Sequence, residues 1–341
     1  MRLRHIHLPS APPSFPPYRL ATAVQELLRR ELLDAKDLQA AVTSHPARPP
    51  PPPPPTLLSF TPQPTFTLGR RQTAPLSAEE LARLQAPLHL RFRGDGGATH
   101  TYHPSVLSSP RGGLTTYHGP GQIVLWPIVD LRPSPVPSSP RPRRHFTVRS
   151  WARLLETTTM RTLSHLFGLA PFTTQDPGVW VRHRASGDDP SRGDGDLRKI
   201  AAMGVHLRRH VSALGVAINL DTPPPAPPRQ QSSEGQDERA DPWARFVACG
   251  LEGKGVTSVA REIGADNVPA ARPAVVAAAW AEELAKELWE GPPVEDEVGT
   301  TDLVLVDTVS HFDVRELVAR AAADGEARSP DVADWLDSLE R

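Results

Sequence analysis

Apolar positions recur along this chain with two periods, and the switches between them predict its elements. From Leu3 to Leu8 apolar and polar residues alternate with the period of two of a half-buried strand. Beyond Pro17 and Tyr18, apolar residues at Leu20, Val24, Leu27 and Leu28 return at helical spacing. Leu57 to Leu68 reads as strand, turn and strand, with Gly69-Arg70-Arg71 as the loop that leaves it. Ser77 followed three residues later by Glu80 is a capping-box pattern, so a short helix is expected through Leu84. Leu88 to Phe92 and Ile123 to Val129 are further strands. Spacing through Leu154, Leu155, Met160, Leu163 and Leu166 predicts a helix over Val148 to Leu169, with Gly168 as its stop. Strands are expected at Gly178 to Val181, Val205 to Arg208 and Gly215 to Leu220, and a helix from Pro273 to Trp289 closes the core. Residues 291–341 carry one short strand, Leu303 to Val306, and two amphipathic helices.

Composition changes this picture in one respect. The chain has 341 residues and 40 prolines, far above the usual share of about 5%. The prolines gather in tracts. Exposed insertions are therefore expected near 46–55, 132–144, 182–196 and 221–242, around one core in residues 1–290, with 291–341 as an accessory tail. Lys+Arg 38 against Asp+Glu 39 gives no reason to expect a nucleic acid or an anionic membrane as partner. No run of about 18 apolar residues is present, so no membrane-spanning helix is expected. Residues 1–19 contain Arg2, Arg4 and Arg19 and no acid, as a mitochondrial presequence would, although the alternation from Leu3 makes the same segment a strand.

The chemistry gathers in a few places. Residues 111–130, RGGLTTYHGPGQIVLWPIVD, read as a glycine-rich polar loop feeding a buried strand, an arrangement that suits a binding site; a plain β-hairpin is the alternative. The single cysteine, Cys249, excludes an internal disulfide and any multi-cysteine metal site, and no metal is expected. A thiol attacks only as thiolate, and at an ordinary pKa near 8.5 only a few per cent is ionised at neutral pH, so Cys249 needs a cationic partner to be a nucleophile. Lysine is scarce, with only Lys36, Lys199, Lys254 and Lys286, and Lys199 stands in the compact motif RKIAAMG. A lysine there could stabilise the thiolate and take its proton. Alone, Cys249 reads equally as a buried hydrophobe and Lys199 as a solvated strand residue. His118 is a third acid/base candidate, or a residue that binds substrate or backbone.

Three segments taken together resemble the lipoyl (octanoyl) transferase family. They are Arg111 to Gln122 with Pro127 to Leu131; Gly178 to Val181 with Lys199 to Gly204; and Cys249-Gly250 with Gly255 to Ser258. Tyr18 to Gln25, Phe66 to Gly69 and Gly215 to Asn219 add to the likeness, and the long insertions resemble a fungal elaboration. The resemblance implies an α/β fold like the biotin and lipoate protein ligases, with a mixed central sheet flanked by helices. It implies transfer of an octanoyl group from octanoyl-acyl carrier protein to the lipoyl domains of oxoacid dehydrogenase E2 subunits and to glycine cleavage H protein. Cys249 would be the acyl-thioester nucleophile and Lys199 its activator, in a ping-pong reaction that needs no cofactor or nucleotide. The acyl site would be lined by Arg111, Gly112, Gly113, Leu114, Thr115, Thr116, Tyr117, His118, Ala202, Met203, Gly204, Gly215, Val216 and Ala217. A monomer is expected, mitochondrial, or cytoplasmic if bacterial. One departure is Leu214, where the family commonly has histidine. An ATP-dependent lipoate protein ligase, a noncatalytic lipoyl-domain scaffold and an amidotransferase between carrier proteins share the fold and stay open as alternatives.

Overall fold

The computed structural model describes residues 2–42, 51–92, 96, 98–134, 142–183, 196–222, 238–246, 255–264, 273–290, 305–309, 311–323 and 329–339. Its centre is an eight-stranded sheet. The order along it is β12 (Gly255–Val256), β10 (Asp196–Arg208), β11 (Val211–Asn219), β8 (Gln122–Ile128), β2 (Thr56–Phe60), β1 (Arg2–His7) and β13 (Leu305–Thr308), with β9 (Val179–His183) also paired to β10. Parallel pairs (β12 with β10, β2 with β1, β1 with β13) and antiparallel pairs (β10 with β11, β11 with β8, β8 with β2) make it mixed.

Both faces of the sheet are covered, which is why β8 and β11 are buried along their whole length rather than alternating. On one face α3 (Val148–Phe167), the short α4 (Val259–Ile263) and α5 (Pro273–Glu287) pack through Trp151, Leu155, Val259, Trp280 and Leu284 onto Ile123, Leu125, Val216 and Ile218. On the other, α1 (Tyr18–Val42) lays Leu20, Val24 and Leu28 over Val124, Trp126 and Ala217. The helix starts follow the pattern expected of their caps. Ser77 and Glu80 form the reciprocal capping box of α2 (Ala78–Gln85), and Thr147 with Ser150 does the same for α3, which ends on left-handed Gly168 at φ 64°.

A second, three-stranded sheet of β6 (Ser105–Ser108), β3 (Thr65–Leu68) and β7 (Thr115–His118) lies beside the first, with a hairpin of β4 (Leu88–Arg91) and β5 (Thr99–Tyr102). The Thr115–His118 segment, expected as a polar loop, is thus a strand paired antiparallel with β3. β-branched and aromatic residues favour that conformation, and Tyr117 supplies an anchor by burying itself against Phe66, Leu84 and Leu88. The chain crosses from this sheet to the main one through Gly119-Pro120-Gly121. Gly121 sits at φ 86°, where a Cβ would come within 2.5 Å of the Asp221 carbonyl oxygen, so only glycine serves at the crossing.

Two other expectations change in detail. The RKIAAMG motif and the strand expected at Val205 to Arg208 are one 13-residue strand, β10. The tail strand expected from Leu303 is described over Leu305–Thr308, residues 303 and 304 lying outside the described residues; it joins the main sheet beside β1, while α6 (His311–Ala323) packs on α1. β10 and β11 meet in a two-residue turn whose central residues, Arg209 and His210, both have positive φ (50° and 69°). That is the type I′ geometry suited to Asn-Gly. Replacing Arg209-His210 with Asn-Gly is expected to raise stability by about 0.5–1 kcal/mol, read as a higher urea midpoint with unchanged slope.

Candidate active site

A cleft with about 370 Å³ of empty space opens where β7 faces β10 and β11. The register places Ala202 opposite Ala217, Met203 opposite Val216 and Gly204 opposite Gly215. All six line the cleft, together with Arg111, Thr116 and His118. The remaining expected residues do not. Thr115 and Tyr117 alternate to the other face of β7, Leu114 points outward, and Gly112 and Gly113 stay in the approach loop. Four walls were not anticipated: Tyr18, Val124, Trp126 and Leu214. Val124 was legible as a core residue of β8, but nothing in the pattern says that the start of α1 would seat Tyr18 here.

Arg111 is buried and fixed by the backbone around it. Its Nη2 donates to the Thr67 carbonyl at 2.7 Å and to Thr67 Oγ1 at 2.8 Å, and Nη1 donates to the Gly112 carbonyl at 3.0 Å. Gly204 makes room for it, since a Cβ there would lie 2.9 Å from Arg111 Cδ. Gly215 serves a different need. A Cβ at that position would meet the Leu125 carbonyl oxygen at 2.2 Å, a backbone atom of the next strand that cannot turn aside, whereas one at Gly112 would meet nothing within 4 Å. Gly215→Ala is therefore expected to destabilise the fold by about 3 kcal/mol or more, and Gly112→Ala to leave the thermal midpoint nearly unchanged. Equal effects would show that the β11–β8 contact is not what fixes Gly215.

His118 stacks on Tyr18, with ring centroids 5.5 Å apart and planes at 24°. Burial, reinforced by the Arg111 guanidinium, pushes its ring down to about 3. The cleft thus favours the neutral form of the ring at physiological pH. Behind it Gln122 Nε2 donates to Asn219 Oδ1 at 2.8 Å, and Asn219 Nδ2 donates to the Thr257 carbonyl at 2.9 Å.

Lys199 is three residues before Ala202 on β10 and is not itself a wall of the cleft. It pairs with Trp180 on one side and with Val256 on the other, and its carbonyl accepts from the Thr257 N–H at 3.0 Å. The pairing with β9 shifts register between Lys199 and Ala201, an irregularity of the kind that re-aims a side chain. Its ammonium lies 4.7 Å from the centre of the Trp180 ring, and its stem passes over Gly178, held at φ 116°. Glu156 on α3 accepts from the Gly178 N–H at 3.1 Å; burial raises its pKa, while that hydrogen bond, Arg153 and Lys199 pull the other way. Cys249 lies outside the described residues. The chain on either side of it is described up to Phe246, which packs on Phe66 with ring centroids 5.5 Å apart, and from Gly255, which pairs with Arg198 beside Lys199. Among the described residues no group of histidine, cysteine and acid side chains could hold a metal ion.

The lipoyl protein ligase A/B catalytic domain matches residues 33–284. The mitochondrial octanoyltransferase of Saccharomyces cerevisiae is 27% identical over 237 residues, 60% of this chain and 64% of that protein. The mitochondrial octanoyl-[acyl-carrier-protein]:protein N-octanoyltransferase of Danio rerio is 31% identical over 214 residues, 63% of this chain and 70% of that protein. The chain thus spans just under two thirds of the yeast relative. Among solved structures, the bipartite lipoate protein ligase of Thermoplasma acidophilum superposes with a TM-score of 0.50 at 14% identity, covering 97% of this chain and 94% of that one, a likeness of fold. With the catalytic-domain match spanning most of its length, the chain belongs to the lipoyl protein ligase A/B family.

Proposed function

We propose that the protein transfers an octanoyl group from octanoyl-acyl carrier protein to lipoyl-domain lysines through a thioester on Cys249. One observation carries this reading. The strand that forms the cleft wall with Ala202, Met203 and Gly204 also bears Lys199, and it pairs there with β12, six residues beyond Cys249 in the chain. In the first half-reaction the Cys249 thiolate attacks the octanoyl thioester, backbone amides of the glycine-containing loops stabilise the oxyanion, and Lys199 gives a proton to the leaving pantetheine thiol. In the second, the lysine amine of the acceptor attacks and Lys199 takes up a proton. Exchange of one thioester for another is near neutral and amide formation is downhill, so no nucleotide enters. Val124, Trp126, Leu214, Val216 and Met203 supply apolar walls for the acyl chain, worth about 0.8 kcal/mol per buried CH₂.

Acceptors are E2 lipoyl domains and glycine cleavage H protein, and the mitochondrial relatives support a mitochondrial site of action. Residues 1–290 form the catalytic unit in this reading. The test is intact-mass spectrometry after incubation with octanoyl-acyl carrier protein and no nucleotide. Wild type should gain one octanoyl group that a lipoyl domain discharges, and Cys249→Ser should gain none. An adduct or lipoyl-domain product that appears only with ATP and Mg²⁺ would move the assignment to a lipoate protein ligase.

A further inference from the structure

A second cavity shares no lining residue with the cleft. It holds about 890 Å³ of empty space, part of it open to solvent, between Leu32 and Lys36 of α1, the prolines from Pro51 to Pro55, Asp130 beyond the end of β8, and Arg143 with Trp289. The prolines that composition marks as an exposed insertion are here a wall. Pro55 is buried, and its carbonyl accepts from the Arg4 N–H at 2.9 Å. Such a wall is apolar, fixed at φ and without an N–H to donate, so polar recognition falls to the side chains among the prolines. Among the described residues four charged side chains line the cavity, and three of them are already engaged. Lys36 Nζ donates to Asp130 Oδ2 at 2.7 Å, Asp130 Oδ1 accepts from the Arg132 N–H at 3.0 Å, and Arg2 pairs with Asp307 at 3.2 Å. Arg143 is the remainder. Its backbone bridges to Trp289, and the hydrogen bonds Arg144 N–H to Leu288 carbonyl and Glu290 N–H to Pro142 carbonyl, each 3.0 Å, fix the pair. Nη2 donates to the Asp130 carbonyl at 3.0 Å, while Nε is sealed from solvent and has no hydrogen-bond partner among the described residues. Burial pulls the guanidinium down to about 10 against the attraction of Asp130, so at neutral pH it is a cation whose charge is incompletely matched.

We propose that this cavity is a second binding site, for an amphipathic anion: a small molecule with one anionic head group on Arg143 and an apolar body along Trp289 and the prolines. The site depends neither on Cys249 nor on the acyl-transfer reading. Its volume falls in the usual range of ligand pockets, about 300–1,000 Å³. An inorganic anion would leave the proline and tryptophan walls in water, and a neutral apolar molecule would leave the guanidinium unmatched. A cation would meet Arg2 and Lys36 as well as Arg143. A polyphosphate asks for a row of N–H donors, which a proline wall lacks. One negative head on an apolar body satisfies charge and walls together. The guanidinium fork suits a carboxylate and a phosphate monoester alike, and a wall of prolines is rigid before the ligand arrives, so little ordering is left to oppose binding.

The test is photolabelling of the full chain with a diazirine-bearing decanoic acid, the labelled peptides being located by mass spectrometry. Labels are expected on peptides that carry Leu32, Pro51 to Pro55 and Trp289, in the wild type and equally in Cys249→Ser. Octanoate and octyl phosphate should both displace them, and the stronger competitor identifies the head group as carboxylate or phosphate. Octanamide lacks the charge and acetate lacks the body, so each should compete about tenfold more weakly or worse. Arg143→Gln should weaken labelling about tenfold or more, with Arg143→Lys between it and the wild type. The thermal midpoint of unliganded Arg143→Gln should be unchanged or raised, since the substitution removes an incompletely matched buried charge, whereas a residue kept for structure alone would lower it. Octanoate and octanamide are compared on the wild type, so that comparison decides even where Arg143→Gln does not fold. Labels confined to cleft peptides carrying His118 and Met203, or octanamide as potent as octanoate, would overturn the proposal.

Discussion

Lys199→Ala is expected to slow octanoyl transfer about 10²- to 10⁴-fold, the usual range for loss of a positioned acid/base group. The fold should hardly notice. The side chain's contacts include the Trp180 ring at 4.7 Å and the stem over Gly178, and a partly exposed cation–π contact is worth about 0.5–1 kcal/mol. The proposed mechanism gives the lysine two roles, charge and proton transfer, and Lys199→Arg separates them. Arginine keeps the positive charge that favours a thiolate but does not release a proton near neutral pH. Lys199→Arg should therefore slow both half-reactions, each of which passes a proton through this position, while keeping the alkylation midpoint of the wild type. Alkylation of Cys249 followed against pH supplies the second readout. The midpoint should move up towards the ordinary thiol value near 8.5 in Lys199→Ala. A midpoint unmoved by the alanine substitution would leave Lys199 without its activating role.

Acid is expected to unfold this protein from below pH 6.5. Two buried histidines carry the effect: burial pushes His5 down to about 4, helped by His7, and His118 down to about 3. The unfolded chain takes up both protons near pH 6.5, while the folded chain does not until much lower. Stability is therefore fully present above 6.5 and falls as pH drops towards 4, by about 1.4 kcal/mol per unit for each ring. Down to pH 4 the two together amount to several kcal/mol, out of a total near 5–15 kcal/mol. Asp241 works against them. Burial raises its carboxyl to about 6, so folding gains from its protonation as pH falls, over a span smaller than either histidine's. Urea midpoints measured from pH 7 to 4 should show the net fall, and His5→Gln, which removes one ring and can still bond Ser59, should remove about half of it. A flat profile in the wild type would mean that neither ring is buried as described.

The sequence carried most of the elements and part of the site, for a physical reason. Apolar period and cap chemistry are local, so Ser77 with Glu80, Gly168 as a helix stop, and the β-branched run from Ile123 could be read where they stand. Pairing partners are not local: nothing between Arg2 and His7 says that Leu305–Thr308 will lie beside it. The Thr115–His118 segment was misjudged because its polarity suggested a loop, whereas Tyr117 decides its face by burial against Phe66. Half of that segment's expected contacts fail for the same reason, since a strand shows alternate residues to each side. The Gln122–Asn219–Thr257 chain joins residues 97 and 38 apart in sequence, and only the fold brings them together.

The placement of β1 sets the order in which the protein can be completed. This strand comes before the rest of the sheet in the chain, yet its parallel neighbours are β2 on one side and, on the other, β13, whose Asp307 stands 305 residues from Arg2. Until β13 is synthesised, one edge of β1 has no partner, and loop closure over that distance precedes any reward from the contact. Folding should thus end in a late, slow docking step during which the open edge is a template for pairing with other chains. Deleting residues from Arg2 onward would cut into an interior strand and separate β13 from β2.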